Sequence, residues 1–285
     1  MKHKYKYIET DAEFSNYLEE LRAEDIKVIA LDVEAEYNLH SYGEKLCLIQ
    51  IYDGKIPVII DALQVSANLM KELFETRTIM KIMFDSSSDQ RLLFKQYQIR
   101  INAIIDLKPA VDILDYERKN LGALFTDKLN LEPIDKKAFQ MYNWQTRPID
   151  AEAINYSIMD VLYLFQLKEI MFSDLENVKK MEEFRDKNFA LQSKPPNISD
   201  KPAIFRKLLF TSLTKEQQKR FTKIYWIRDK YAQLLDFPPF HLFSNGKIRK
   251  MTIKPNKIET LKTRENVDIE IMNKLREELL DVSKI

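Results

Sequence analysis

The sequence predicts a mixed α/β sheet flanked by helices, followed by an all-helical region. Three observations carry this. Through the first half, short β-rich runs alternate with amphipathic helical patterns, as in a sheet covered by helices. The stretch "ALQSKPPNISDKPAIF", residues 190–205, sets three prolines among polar residues and breaks the alternation. Beyond it, apolar residues recur at helical spacing.

In chain order, "DIKVIALDVEA", "KLCLIQIYDG" and "KIPVIIDAL" read as three successive strands, the last two joined through the hairpin-like Asp53-Gly54. "VSANLMKELFETR" is an amphipathic helix with Leu69, Leu73 and Phe74 on one face. "TIMKIMF" is a fourth strand, leading into the helix "SDQRLLFKQYQ". "INAIIDLKPAVDIL" is a fifth strand running into a helix with Pro109 in its first turn. From about Leu121 to Ile170 the pattern is largely helical. After the break, Thr214 and Gln217 form a capping-box pair ahead of a helix that Pro238-Pro239 ends. The expected domains are residues 1–190, a linker over 191–205 and a helical domain over 206–285.

Bulk properties narrow the class. Hydrophobic residues make up 45% and charged residues 31% of 285, as in a globular chain with a substantial core. No apolar run reaches the roughly 20 residues of a membrane span, and the N-terminus lacks the apolar core of a signal peptide. The single cysteine, Cys47, lies in an apolar run and reads as a buried structural thiol. One Cys and three scattered His exclude a zinc cluster. A cytoplasmic monomer is the expectation. Net charge is +1, but it divides unevenly. Residues 194–285 hold 20 basic and 11 acidic residues; residues 1–193 hold 25 and 33. That asymmetry fits an acidic catalytic part and a basic part that meets a polyanion, or a merely solvated basic surface.

Three acidic signals could carry chemistry. Asp32 and Glu34 end an apolar strand two residues apart, so they share one face and must share a cation or a proton; solvated acids at a fraying strand end are the plain alternative. Asp89 follows the fourth strand in the first turn of a helix, where an acid is commonly a cap. Tyr156 and Asp160 stand at i and i+4 on one helix face, suited to catalysis or to a structural pair.

The order of these signals resembles the three motifs of the DEDD exonucleases, in the tyrosine-bearing branch. "LDVEAEYNLHSYGEKLCLIQI" and "NWQTRPIDAEAINYSIMDVLYL" are similar to ribonuclease D, and "LTKEQQKRFTKIYWIRDKYAQLLDFPPFHLFSNGKIRKM" resembles the HRDC domain that follows it. The resemblance covers roughly residues 5–280. It implies a ribonuclease H-like sheet, two divalent cations (Mg²⁺ or Mn²⁺) held by Asp32, Glu34, Asp89 and Asp160, and Tyr156 positioning the attacking water. Two departures stand out: Ala35, where the family usually has an aromatic, and Phe84-Asp85-Ser86, where it usually has a His or Asn-type residue. Trp144 and Arg147 are candidate nucleic-acid contacts or a packing turn, and Lys136 matches a family lysine or makes a structural pair. Lys219, Lys223 and Arg249, with Arg220, Lys247 and Lys250, are candidates for a phosphate-tracking patch or a solvated face.

The implied activity is 3'-to-5' exoribonuclease, releasing nucleoside 5'-monophosphates from RNA 3' ends, with tRNA precursors and other small stable RNAs as substrates. A DNA 3'-5' exonuclease or repair factor is one alternative, since nothing in the chain recognisably reads the 2'-hydroxyl. A catalytically weak RNA-binding module is the other.

Overall fold

The computed structural model describes residues 3–133, 137–193, 195–196, 198, 201–263 and 267–283. Lys136 and, within the expected linker, positions 194, 197, 199 and 200 lie outside them. The chain divides into two compact units: Met1–Ala35 with Lys45–Ile198, and Glu36–Glu44 with Ser199–Ile285.

In the first unit the elements follow as β1 (Lys6–Ile8), α1 (Asp11–Ala23), β2 (Val28–Tyr37), β3 (Glu44–Tyr52), β4 (Val58–Asp61), α2 (Ala67–Glu75), β5 (Met80–Met83), α3 (Ser87–Tyr97), β6 (Ile104–Asp106), α4 (Lys108–Ile113), α5 (Leu121–Leu129), α6 (Lys137–Gln140), α7 (Ala151–Leu162), α8 (Leu164–Asn177) and α9 (Met181–Ser193). The six strands form one sheet in the order β1-β4-β3-β2-β5-β6. β3 and β4 pair antiparallel, while β1–β4, β2–β5 and β5–β6 pair parallel, so the sheet is mixed as expected. Two elements go beyond the sequence reading. β1 is a three-residue strand, and α1 carries a capping box between Thr10 and Glu13.

Strand alternation assigns the two faces. Ile29, Leu31 and Val33 of β2 enter a core with Phe14 of α1, Phe74 of α2 and Leu92 of α3. Val28 and Ala30 point the other way, into a core with Val111 of α4, Phe125 of α5 and Leu167 of α8. Both faces are covered, so β3 reads as a continuous apolar run and Cys47 is fully buried. Lys81, at the start of β5, is also fully buried; its ammonium donates to the carbonyls of Thr76 (2.5 Å) and Asn102 (3.1 Å).

β6 is an edge strand, and α9 covers its open side. Gln192 accepts from the Ile104 N–H and donates to the Ile104 carbonyl (2.9 and 3.0 Å). One turn earlier, Asn188 does the same for Asp106 (2.7 and 3.2 Å). Two amides at i and i+4 thus supply the hydrogen bonds of a missing seventh strand.

The second unit comprises α10 (Leu208–Thr211), α11 (Lys215–Leu234), α12 (Pro239–Leu242), α13 (Asn245–Ile253) and α14 (Ile269–Ser283), together with the β2–β3 connection. The Thr214–Gln217 capping box forms at the start of α11. Phe221, Ile224 and Tyr231 of α11 pack with Phe243, Ile248 of α13 and Leu275 and Leu279 of α14. Tyr42 of the connection donates to Asp229 (2.8 Å) from its hydroxyl and to Asp236 (3.1 Å) from its backbone. Among the described residues, no helix is long and apolar enough to cross a membrane.

Candidate active site

β2 delivers the first two acids. Asp32 and Glu34 continue the Val28–Ala30 face, but beyond the point where helices bury it, so both are only partly covered. α7 delivers the third. Asp150 takes the extended N-cap conformation, and Ile154, Ile158 and Val161 bury one face of the helix. Asp160 is carried inward with them and is 7% exposed. Asp32, Glu34 and Asp160 each place a carboxylate oxygen within 4.8 Å of the others. At an effective dielectric of about 20, each charged pair at that distance costs roughly 3–4 kcal/mol. Three such charges are stable together only with a cation or a bound proton. The donors are all hard carboxylate oxygens on two rigid elements, a set that fits Mg²⁺ or Mn²⁺.

Tyr156, one turn before Asp160, is hydrogen-bonded to it. Burial, followed by the charges of Asp160, Glu34 and Asp32, holds the phenol well above its ordinary pKa. Its ring stacks with those of Phe139 (centroids 4.7 Å apart, 18° between planes) and Trp144 (6.4 Å, 29°). Tyr142 packs edge-on against Trp144 and accepts the N–H of Asp150. The aromatic group therefore fixes both the tyrosine and the start of its helix. Phe139 was not singled out in the sequence; the aromatics of "KKAFQMYNW", at 139, 142 and 144, follow no sustained helical or strand period.

Asp89, in the first turn of α3, is not among the acids whose oxygens lie mutually within 4.8 Å. Burial, then the nearby charges of Asp106 and Asp85, push its pKa up to about 8. α3 begins without a side-chain cap. Ser86 occupies the N-cap position, but its hydroxyl donates to Asp106 (2.8 Å). Asp85 takes a left-handed backbone conformation (φ 60°).

Trp144 and Arg147 are placed as a packing turn, not as free nucleic-acid contacts. Trp144 is 4% exposed, in a core with Leu48, Ile59 and Ile158. Arg147 donates to both oxygens of Asp61 (2.5 and 2.6 Å), and to the carbonyls of Trp144, Thr146 and Cys47 (2.7, 2.9 and 3.2 Å). Its guanidinium is thus saturated by the fold. Ala35 packs against the first-face core, and the Phe84 ring lies beneath the Lys108 ammonium, 5.4 Å from its centroid.

In the second unit Lys219 and Lys223 are exposed on α11, one turn apart, along a groove of about 690 Å³ that Phe210, Gln218 and Thr222 also line. Arg249 is engaged with the Leu209 carbonyl and the Ser212 hydroxyl (2.6 and 2.8 Å), tying α13 to α10. Arg220 and Lys247 are likewise held, by the carbonyls of Thr252 and Lys262. Of the six candidates, Lys219 and Lys223 on α11 and Lys250 on α13 are exposed with their ammonium groups outside these contacts.

Comparison with known proteins gives a consistent set. The sequence profile described as "3'-5' exonuclease" matches residues 5–176. Exosome complex component 10 homolog of Caenorhabditis elegans is 27% identical over 234 residues, 77% of this chain but only 26% of that longer protein. The catalytic core of RRP6 from Trypanosoma brucei superposes with a TM-score of 0.80 at 21% identity, over 99% of this chain and 79% of that one. Escherichia coli RNase D, an exoribonuclease involved in structured RNA processing, superposes with 0.76 at 18% identity, over 99% and 74%. At these identities the structural likeness speaks for the fold.

Proposed function

The chain belongs to the 3'-5' exonuclease family, and from that premise we propose that it is a metal-dependent exoribonuclease that removes nucleoside 5'-monophosphates from RNA 3' ends. The observation that carries the reading is the convergence of Asp32, Glu34 and Asp160 within 4.8 Å, beside a tyrosine hydrogen-bonded to the last of them. In this reading the three acids hold one divalent cation, Mg²⁺ or Mn²⁺, and Asp89 helps hold a second. Bound cations would supply a water of lowered pKa and charge neutralisation at the leaving oxygen.

The chain's own residues supply position. β2 presents Asp32 and Glu34 on one rigid edge, and α7 brings Asp160 opposite. Tyr156 offers a neutral phenol that orients a water by hydrogen bonding, since a phenol stays protonated at neutral pH. Phe139 and Trp144 prevent that ring from turning away. Residues 206–285 are read as an HRDC-like domain that meets the RNA backbone through Lys219 and Lys223. Substrates are read as accessible 3' ends of tRNA precursors or other small stable RNAs, recognised by end and shape rather than by sequence.

The test is product analysis on a 3'-extended, 3'-labelled tRNA with Mn²⁺ and with EDTA. Release of labelled 5'-monophosphate with metal alone supports the reading. Release insensitive to EDTA, or equal loss from a matched DNA strand, refutes the metal or the RNA part respectively.

A further inference from the structure

The turn that launches Asp89 is built around a carboxylate that the catalytic motifs leave out. β5 ends at Met83, and the chain reverses through Asp85, a non-glycine residue in the left-handed region. The reversal aims two consecutive backbone N–H groups at the side chain of Asp106, which ends the neighbouring strand β6. Asp85 N–H donates to one oxygen (2.9 Å) and Ser86 N–H to the other (2.8 Å). The Ser86 hydroxyl adds a third bond (2.8 Å) and the N–H of Lys108 a fourth (2.9 Å). Gln90 of α3, 7% exposed, donates to the Ser86 hydroxyl (3.0 Å) and orients it toward the acid. Asp106 is 1% exposed and Ser86 is fully buried. The main chain of Asp106 is fixed in turn by Asn188.

Four donors on two oxygens suit an ionised carboxylate, which only accepts. An amide at this position would turn an NH₂ toward N–H groups. The β5–α3 turn and the start of α4 are therefore locked to the end of β6 by one buried anion. Asp89 follows three residues after Ser86, on the first turn of the helix so anchored.

We propose that Asp106 is a positioning residue for Asp89: it holds the β5–α3 turn so that Asp89 is aimed to bind a divalent cation. The proposal rests on the exonuclease reading for the role of Asp89. Asp106 reaches Asp89 by two routes, through the turn it anchors and through its own nearby charge, and the proposal concerns the first, which Ser86→Ala probes with the Asp106 charge kept.

The experiment counts Mn²⁺ bound to the full chain by electron paramagnetic resonance of the free ion, and follows RNA turnover in parallel. Wild type, Asp106→Asn, Asp89→Ala and the double variant are compared, with thermal melting as a folding control. Asp106→Asn should weaken the second Mn²⁺ by about 10-fold or more and leave the first unchanged. kcat should fall while KM for RNA stays constant. The double variant should be no worse than Asp89→Ala, because one residue acts through the other. Wild-type Mn²⁺ binding in Asp106→Asn, or a further loss in the double variant, overturns the proposal. If Asp106→Asn does not fold, Ser86→Ala decides, since it removes one of the four donors: a weakened second site supports the proposal and an unchanged one overturns it. A wild-type chain that binds two Mn²⁺ but degrades no RNA refutes the exonuclease reading and leaves the positioning role intact; a chain that binds no Mn²⁺ overturns both.

Discussion

Replacing Arg147 by methionine should destabilise the first unit more than replacing its partner Asp61 by asparagine. Asp61 is 1% exposed and receives four bonds: two from Arg147, one from the Tyr7 hydroxyl (3.0 Å) and one from the Leu63 N–H (3.1 Å). The guanidinium holds the Asp61 carboxyl below the usual carboxylate range although burial alone would raise it. Methionine keeps most of the arginine stem but strands a buried carboxylate, a loss of about 3–5 kcal/mol. Asp61→Asn leaves no carboxylate to strand, and Arg147 keeps three carbonyl acceptors, so the loss is about 1.5–3 kcal/mol. For a unit of this size, at about 2–4 °C per kcal/mol, Arg147→Met lowers Tm by roughly 6–20 °C. The double variant should cost less than the sum of the two, because the stranded charge is gone. Because the folded pKa of Asp61 is depressed, this stabilisation is present above the unfolded value near 4 and disappears as pH falls through the folded one. Circular dichroism melts at pH 7 and pH 3 measure all of this. Equal Tm values for Arg147→Met and wild type, or strict additivity, would refute the reasoning.

Three further outcomes are expected. Tyr156→Phe keeps the ring contacts with Phe139 and Trp144, so it should melt like wild type yet lose kcat by at least about 10-fold at unchanged KM; unaltered kcat would remove the hydroxyl from the mechanism. Burial lowers the pKa of Lys81 to about 8, while an unfolded lysine titrates near 10.4. Between those values the unfolded chain binds the extra proton, so stability should rise with pH by up to about 2–3 kcal/mol. Guanidinium midpoints at pH 7.5 and 9.5 should show that rise in wild type and not in Lys81→Met. Replacing both Lys219 and Lys223 by alanine should reduce the salt slope of RNA binding by about 1.4, at roughly 0.7 per single-strand phosphate contact; an unchanged slope places the RNA elsewhere.

Much of the site was legible because it follows local periods. Asp32 and Glu34 share a face through the two-residue repeat of a strand, and Tyr156 and Asp160 through the helical turn. What was not legible depends on pairing between distant segments. β1 is three residues long and exists by its parallel pairing with β4, some fifty residues away. Trp144 and Arg147 read equally as binding or packing residues in the sequence, because the β3 and β4 residues that engage them lie some hundred residues earlier. Asp106 follows an apolar run as Asp32 does, a signal present in "AIIDLKP", although β2 continues to Tyr37 while β6 stops at Asp106; the sequence says nothing of which backbone N–H groups meet it.

The amides of α9 set a lower limit on how short a self-sufficient nuclease fragment can be. A cut at residue 190, the boundary expected from the sequence, keeps Asn188 but discards Gln192. The N–H and carbonyl of Ile104 would then face solvent as half of an open ladder, ready to accept a strand from another copy. Such a fragment should self-associate at concentrations where one ending after Ser193 stays monodisperse. The last two turns of α9 thus act as a stopper on the sheet, and the proline-rich stretch after them is where the chain can be divided without pulling it out.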